Sequence, residues 1–225
     1  CHIVLEKASG RMQAPILIVA PTSLMFNWRM EAKRFCPHLK VLTLHGSQRK
    51  DYFEHMSEHD VVLTTYPLLL RDKDNLLRQS FYLFILDEAQ CIKNKNALVT
   101  QVALQIKANY RLCLTGTPME NHLGELWSLF NFVLPGLLGK EKQFNHLFKI
   151  PIEKHEDQER QHHLNKRIAP FLLRRTKDCV LKELPEKIEM IHQVELADNQ
   201  RDLYETIRVT MHKKIKQEIK KMGLA

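Results

Sequence analysis

With 225 residues, 44% hydrophobic and 27% charged, the chain carries enough apolar material for one sizeable core, or for a core with an appendage. Its apolar runs are of strand length, too short to cross a bilayer, and its five cysteines (Cys1, Cys36, Cys91, Cys113, Cys179) are odd in number with no CxxC pair, which argues against a disulfide framework or a zinc ribbon. A formal net charge of +8 and a pI near 9.2, with the excess spread along the chain, favour an anionic partner such as nucleic acid.

The opening residues, Cys1-His2-Ile3-Val4, lack the basic start and small-residue cleavage pattern of a secretory signal. A reducing, intracellular setting is expected. The first residue is not Met, so a longer parent chain is expected too.

Apolar, β-rich runs at residues 16–20, 41–45, 61–65, 83–87 and 112–115 alternate with helix-length stretches at 23–35, 48–57, 97–107 and 125–133. Near-continuous apolar strands separated by helices predict an α/β fold, a parallel sheet with helices on both faces. Pro21 and Thr22 give the first of these helices a start signal. Trp28, beside Phe26 on that helix, has two readings, a stacking platform or a core side chain, and the core reading fits such a position better. Residues 55–59, HMSEH, spell an inverted zinc-protease pattern with Glu58 as base. Asp60 and a strand follow at once, however, so the required helix ends there and the histidines are read as surface residues.

Residues 83–90, LFILDEAQ, carry the strongest signal. An apolar strand ends in two adjacent carboxylates, Asp87 and Glu88, at the carboxyl edge of the sheet, where α/β folds place their ligands. One acid there can hold a magnesium ion while the next orients or deprotonates an attacking water. A second apolar strand then closes in Thr115-Gly116-Thr117-Pro118, which is either an ordinary tight turn or a second functional strand end. Hydroxyls and amides at Thr22, Ser23, Asn27, Thr64, Thr65 and Tyr66 sit at other strand ends and suit contacts to phosphates, which position a backbone without reading its sequence.

Past Pro135-Gly136 the chain turns polar, with helical patches over 140–170 and one long helix over 197–222 opened by Asp198. Leu203, Ile207, Met211, Ile215 and Ile219 form an apolar stripe on that helix, with Lys213, Lys214, Lys216, Lys220 and Lys221 on its other faces. The stripe predicts an amphipathic helix packed on the domain. A phosphate-cradling GxxxxGK[ST] loop fits none of the seven glycines, and Gly139-Lys140-Glu141 fails in both spacing and hydroxyl.

Together the blocks PTSLMFNW (21–28), LHGSQRK (44–50), VLTTYPLL (62–69), ILDEAQCIKN (85–94), LTGTPMEN (114–121), LWSLFNFVLPGLLG (126–139) and PFLLRRTK with ELPEK resemble, in order, the first motor lobe of the Swi/Snf-type ATPases of helicase superfamily two. The wording PGLLG, and Gln90 where many relatives have His, resemble the bacterial branch. The resemblance covers residues 15–204.

It implies a RecA-like lobe over residues 1–136 that lacks its phosphate loop, and a helical insertion over 137–225 leading toward a second lobe. It implies ATP and Mg2+ as cofactors, with Asp87 as the magnesium acid, Glu88 as the water-activating acid and Gln90 beside them. Thr115, Gly116 and Thr117 become the segment that links nucleotide state to nucleic-acid grip. Arg174, Arg175 and Lys177 become contacts to the nucleotide cleft or the second lobe, although a solvated basic cluster reads equally from the residues alone. The implied activity of the parent is ATP-driven translocation on double-stranded DNA, with a DNA-bound protein as a further target. Its location would be the cytoplasm (nucleoid-associated) in a bacterium or the nucleus in a eukaryote. The alternatives are a superfamily-two helicase of another branch and a nucleic-acid-binding module without turnover.

Overall fold

The computed structural model describes residues 1–116, 122–175, 190, 192 and 194–222, with side chains at 213 and 217–222 outside that description. The chain divides into two compact units, Cys1–Leu172 and Leu173–Ala225.

The first unit is built on five strands: β1 (Ile16–Ala20), β2 (Val41–Thr43), β3 (Val61–Thr65), β4 (Ser80–Asp87) and β5 (Lys107–Leu114). They lie in the order β2-β3-β1-β4-β5, and every pairing is parallel. β1 and β3 are buried along their whole length, because both sheet faces are covered, and apart from the closing Thr64 and Thr65 of β3 they are apolar. Leu17 and Val19 face one core with Phe84, Leu86 and Phe132. Ile16 and Ile18 face the other with Met25, Leu63 and Ile85. Each such side chain contributes about 1.5–3 kcal/mol on burial.

The helices of this unit are α1 (His2–Ala8), α2 (Met25–Phe35), α3 (Tyr66–Arg71), α4 (Lys73–Arg78), α5 (Leu98–Gln105), α6 (Leu123–Val133), α7 (Glu141–Phe144), α8 (Ile150–His155) and α9 (Gln158–Ile168). A π turn, Asn145–Lys149, joins α7 to α8. α6 serves two cores. Leu129 and Phe132 face the sheet, with Phe132 meeting Phe84 edge-on at 5.1 Å between ring centres. Leu126 and Phe130 join Phe144, Phe148, Leu164 and Ile168 in a separate cluster. The polar stretch after Gly136 is thus a set of short helices held by a few aromatic and aliphatic anchors.

Two elements differ from expectation. Residues 48–57 form no α-helix but two 3₁₀ turns, Ser47–Tyr52 and Met56–Glu58. The cause is Arg49, which turns inward: its guanidinium donates to both carboxylate oxygens of Asp72 (2.7 and 2.9 Å) and to the carbonyl of Gly46 (2.7 Å). Gly46 starts the turn at φ 77°, a left-handed conformation natural only to glycine. Within these turns His55 bonds Glu58 and His59 bonds the carbonyl of His55, so the histidines do not share a helix face.

β5, secondly, begins at Lys107, where a helix was expected to end and five residues before the expected strand. Among the described residues it is an edge strand, bonded on its β4 side only, and its burial alternates accordingly, with Tyr110, Leu112 and Leu114 exposed. Its Arg111 points inward and donates to the carbonyls of Leu104, Ile106 and Phe132, closing the carboxyl ends of α5 and α6. Burial lowers the pKa of that guanidinium.

In the second unit, α10 (Asp198–Met222) confirms the long helix. Leu203, Ile207, Met211 and Ile215 are each more than half exposed, so nothing within the described residues of this unit covers the apolar stripe. The side chain of Ile219 lies outside them.

Candidate nucleotide and nucleic-acid site

Register brings four strand ends to one edge of the sheet. Ala20 of β1 pairs with Thr65 of β3, Val19 with Leu86 of β4, and Asp87 with Leu114 of β5. The residues just beyond (Thr22 and Ser23, Tyr66, Glu88, Thr115 and Gly116) therefore belong to one neighbourhood.

At its centre the backbone turns sharply at Glu88, which has φ 50° and ψ 53°. A left-handed conformation costs a non-glycine residue about 1–2 kcal/mol, and it persists only where neighbours enforce it. They do so here. The Glu88 N–H donates to Asp87 Oδ1 at 2.9 Å, and the Tyr66 hydroxyl donates to the carbonyl of Asp87 at 2.6 Å. The Cys91 N–H then takes the Glu88 carbonyl as a 3₁₀ turn, Ala89–Ile92, begins. Burial, then the adjacent thiols and carboxylates, raise the pKa of the Tyr66 phenol, so it stays a donor.

The two acids have different partners. Asp87 Oδ2 accepts the indole N–H of Trp28 at 2.7 Å. Glu88 accepts the side-chain amide of Gln90 at 2.8 Å, and Gln90 Oε1 accepts the Thr115 hydroxyl at 2.7 Å. An ionised carboxylate only accepts, so the amide must present its NH2 to Glu88 and its oxygen to Thr115. One hydrogen-bonded chain thus runs from the acid ending β4 to the hydroxyl ending β5.

The expected nucleic-acid residues separate into two groups. Thr22, Ser23 and Asn27 are exposed, the first two on a 3₁₀ turn Thr22–Leu24 and the third on α2. Gly116 is exposed, with open space where a side chain would stand. Thr64, Thr65 and Tyr66 are buried instead. The Thr64 hydroxyl points to the carbonyl of Leu44, and Tyr66 supports the acid turn, so these side chains brace the edge from within. Arg174 and Arg175 are exposed in the second unit, and Thr117 and Lys177 lie outside the described residues.

Two contributors to this site take parts that the sequence does not show. Trp28 is half-buried with its N–H on Asp87, not a plain core residue. Tyr66, a candidate phosphate contact from its strand-end position, is buried with its hydroxyl on the carbonyl of Asp87. A Trp on an amphipathic helix carries no sign of where its one donor will point.

Hard oxygen donors on one or two carboxylates, completed by phosphate and water, are what magnesium takes. Asp87 and Glu88 offer that set, and among the described residues no group of three or more His, Cys, Asp or Glu side chains gathers as a closed metal cage. The residues fit a magnesium ion carried with a nucleotide.

A five-stranded parallel sheet with an acid pair at its carboxyl edge, wired to the next strand end, defines a RecA-like α/β domain. Residues 2–224 match the SNF2-related domain, so the chain belongs to that family. It is 42% identical over 218 residues to an uncharacterized ATP-dependent helicase of Mycoplasma genitalium, covering 96% of this chain and 21% of that protein. It is 37% identical over 201 residues to an ISWI chromatin-remodeling complex ATPase of Arabidopsis thaliana, covering 87% of this chain and 19% of the relative. Among solved structures, the Sulfolobus solfataricus SWI2/SNF2 ATPase core in complex with dsDNA superposes with a TM-score of 0.72 at 33% identity, over 96% of this chain and 45% of that one. The chain spans about a fifth of the length of these two relatives.

Proposed function

We propose that this chain is the first-lobe segment of an ATP-driven double-stranded DNA translocase, in which Asp87 and Glu88 act on a magnesium-bound nucleotide. The observation that carries the reading is the hydrogen-bonded chain Glu88–Gln90–Thr115, which joins the acid pair to the neighbouring strand end. Family membership and the ATP-dependent helicases and remodelling ATPases among the relatives support it.

Asp87 would hold the metal, and Glu88 would orient and deprotonate the attacking water. Magnesium, when bound, supplies charge neutralisation at the phosphates. Gln90 holds the Glu88 carboxylate at a fixed angle, and any shift of that carboxylate is passed to Thr115. Thr22, Ser23, Asn27 and Gly116, exposed at the same sheet edge, would meet the DNA backbone, where donors bind phosphate without a base code. Residues 137–225 would lead toward a second lobe, with Arg174, Arg175 and Lys177 near the cleft. The protein would reside with its DNA, in the nucleoid of a bacterium or the nucleus of a eukaryote.

The test is made in the longer parent protein. Glu88→Gln keeps the shape and removes the proton acceptor, so ATP turnover should vanish while nucleotide binding persists. Asp87→Ala should also weaken binding that depends on magnesium. Near-normal turnover by the Glu88 variant would overturn the assignment.

A further inference from the structure

Asp87 is held at both carboxylate oxygens, by one donor from its neighbour in the chain and one from a distant helix. Oδ1 takes the N–H of Glu88, the next residue, at 2.9 Å. Oδ2 takes the indole N–H of Trp28, 59 residues earlier on α2, at 2.7 Å. The second distance lies at the short end of charge-assisted N–H···O bonds. We propose that Trp28 is a positioning residue for the magnesium acid: it fixes the plane of the Asp87 carboxylate so that its remaining lone pairs face the metal. This rests on the reading of Asp87 as the metal-holding acid.

The geometry supports a role in positioning. The last torsion of an aspartate is soft, so a carboxylate held at one oxygen alone swings freely. Two N–H donors on its two oxygens remove that freedom and still leave each oxygen a lone pair. The indole is itself well anchored. Its ring packs on the core formed by Ile16, Ile18, Met25, Val61, Leu63 and Ile85, leaving the N–H edge to the polar site. The ring also borders a cavity of about 390 Å³ beside Phe35, Leu39 and Val41. A Trp in such a position needs an acceptor for its N–H, and the one it has is the acid. Loss of a partner that orients a metal ligand typically costs ten- to a hundredfold in metal affinity, and that is the effect expected here.

The experiment uses the full-length parent protein and a fluorescent ATP analogue, with binding measured across a magnesium titration and again without magnesium. Trp28→Phe removes the N–H and keeps an aromatic ring. The magnesium midpoint should rise about ten- to a hundredfold, with full binding recovered at saturating metal and metal-free binding unchanged. Replacing Trp28 by benzothienylalanine, which keeps the indole outline with sulfur in place of N–H, should reproduce that shift even if the Phe variant folds poorly. An unchanged midpoint in the benzothienylalanine protein, or equal losses with and without magnesium, would overturn the proposal. Asp87→Ala separates the two claims. If it leaves the midpoint at the wild-type value, the reading of Asp87 as the metal acid falls. If it abolishes the magnesium dependence while the Trp28 variants behave as wild type, only the role of Trp28 falls.

Discussion

Removing one member of the Arg49–Asp72 pair should be among the most destabilising single changes in this chain. The side chains are 7% and 5% exposed, the guanidinium makes two bonds to the carboxylate, and a third goes to the carbonyl of Gly46. Asp72→Ala would leave a buried guanidinium without its counter-charge, at a cost of about 3–5 kcal/mol. Arg49→Met should cost a similar amount by orphaning the acid. The double change Arg49→Met with Asp72→Leu replaces the pair by apolar groups of similar volume and should cost less than about 1 kcal/mol. Urea unfolding followed by circular dichroism reads this directly. For a slope of about 2 kcal/mol per molar, each single variant should lose about 2 M in midpoint, and the double variant should stay near wild type. An Asp72→Ala midpoint within about 0.5 M of wild type would refute the reasoning, as would a double variant that loses the sum of the two singles.

The 225-residue chain alone should show no DNA-stimulated ATP hydrolysis above its own Glu88→Gln control, because none of its glycines forms a phosphate loop to hold the β- and γ-phosphates. DNA binding, measured by low-salt titration of two unrelated duplexes, should weaken with salt at equal slopes for both. Asn27→Asp should weaken it further, and a preference for one duplex would place the grip elsewhere; Thr65→Asp is a poor probe because it buries a charge at a position 2% exposed. Hydrogen bonds from Arg11 and then Tyr82 hold the Glu6 carboxyl at about 2, below the ordinary carboxylate range. A depressed folded pKa stabilises above the unfolded value, and that stability drains away as pH falls toward 2. Glu6→Gln should therefore flatten the thermal midpoint between about pH 5 and 2 relative to wild type.

The sheet was legible because parallel strands covered on both faces are mostly apolar, as are β1, the first three residues of β3 and most of β4. β5 was misplaced at its start for the converse reason. An edge strand alternates, and KANYR before LCL reads as the end of a helix until the partner strand is known. The place of the acid pair was legible because an apolar run that ends in two carboxylates marks where a buried strand leaves the core. Its supports were not. Trp28 and Tyr66 lie 59 and 21 residues from Asp87, and Arg49 lies 23 from Asp72. Such contacts are set by the order of strands in the sheet, which local periodicity does not encode. Tyr66 and Thr64 mislead in a second way: polar residues at a strand end suggest a surface, yet their hydroxyls are spent on carbonyls inside.

The open flank of β5 has a consequence for the molecule in solution. Alternate residues of this eight-residue strand turn their backbone N–H and C=O groups to that flank, near the exposed Tyr110, Leu112 and Leu114. Proteins usually guard such a flank with lysines, prolines or bulges. Here the only charges on the strand are Lys107, at its first position, and Arg111, whose guanidinium is committed to carbonyls at the ends of α5 and α6. Among the described residues nothing pairs with that flank, so the sheet can accept one more strand there. Handled by itself at high concentration, this chain should associate through β5, and a lysine at Leu112 should keep it apart.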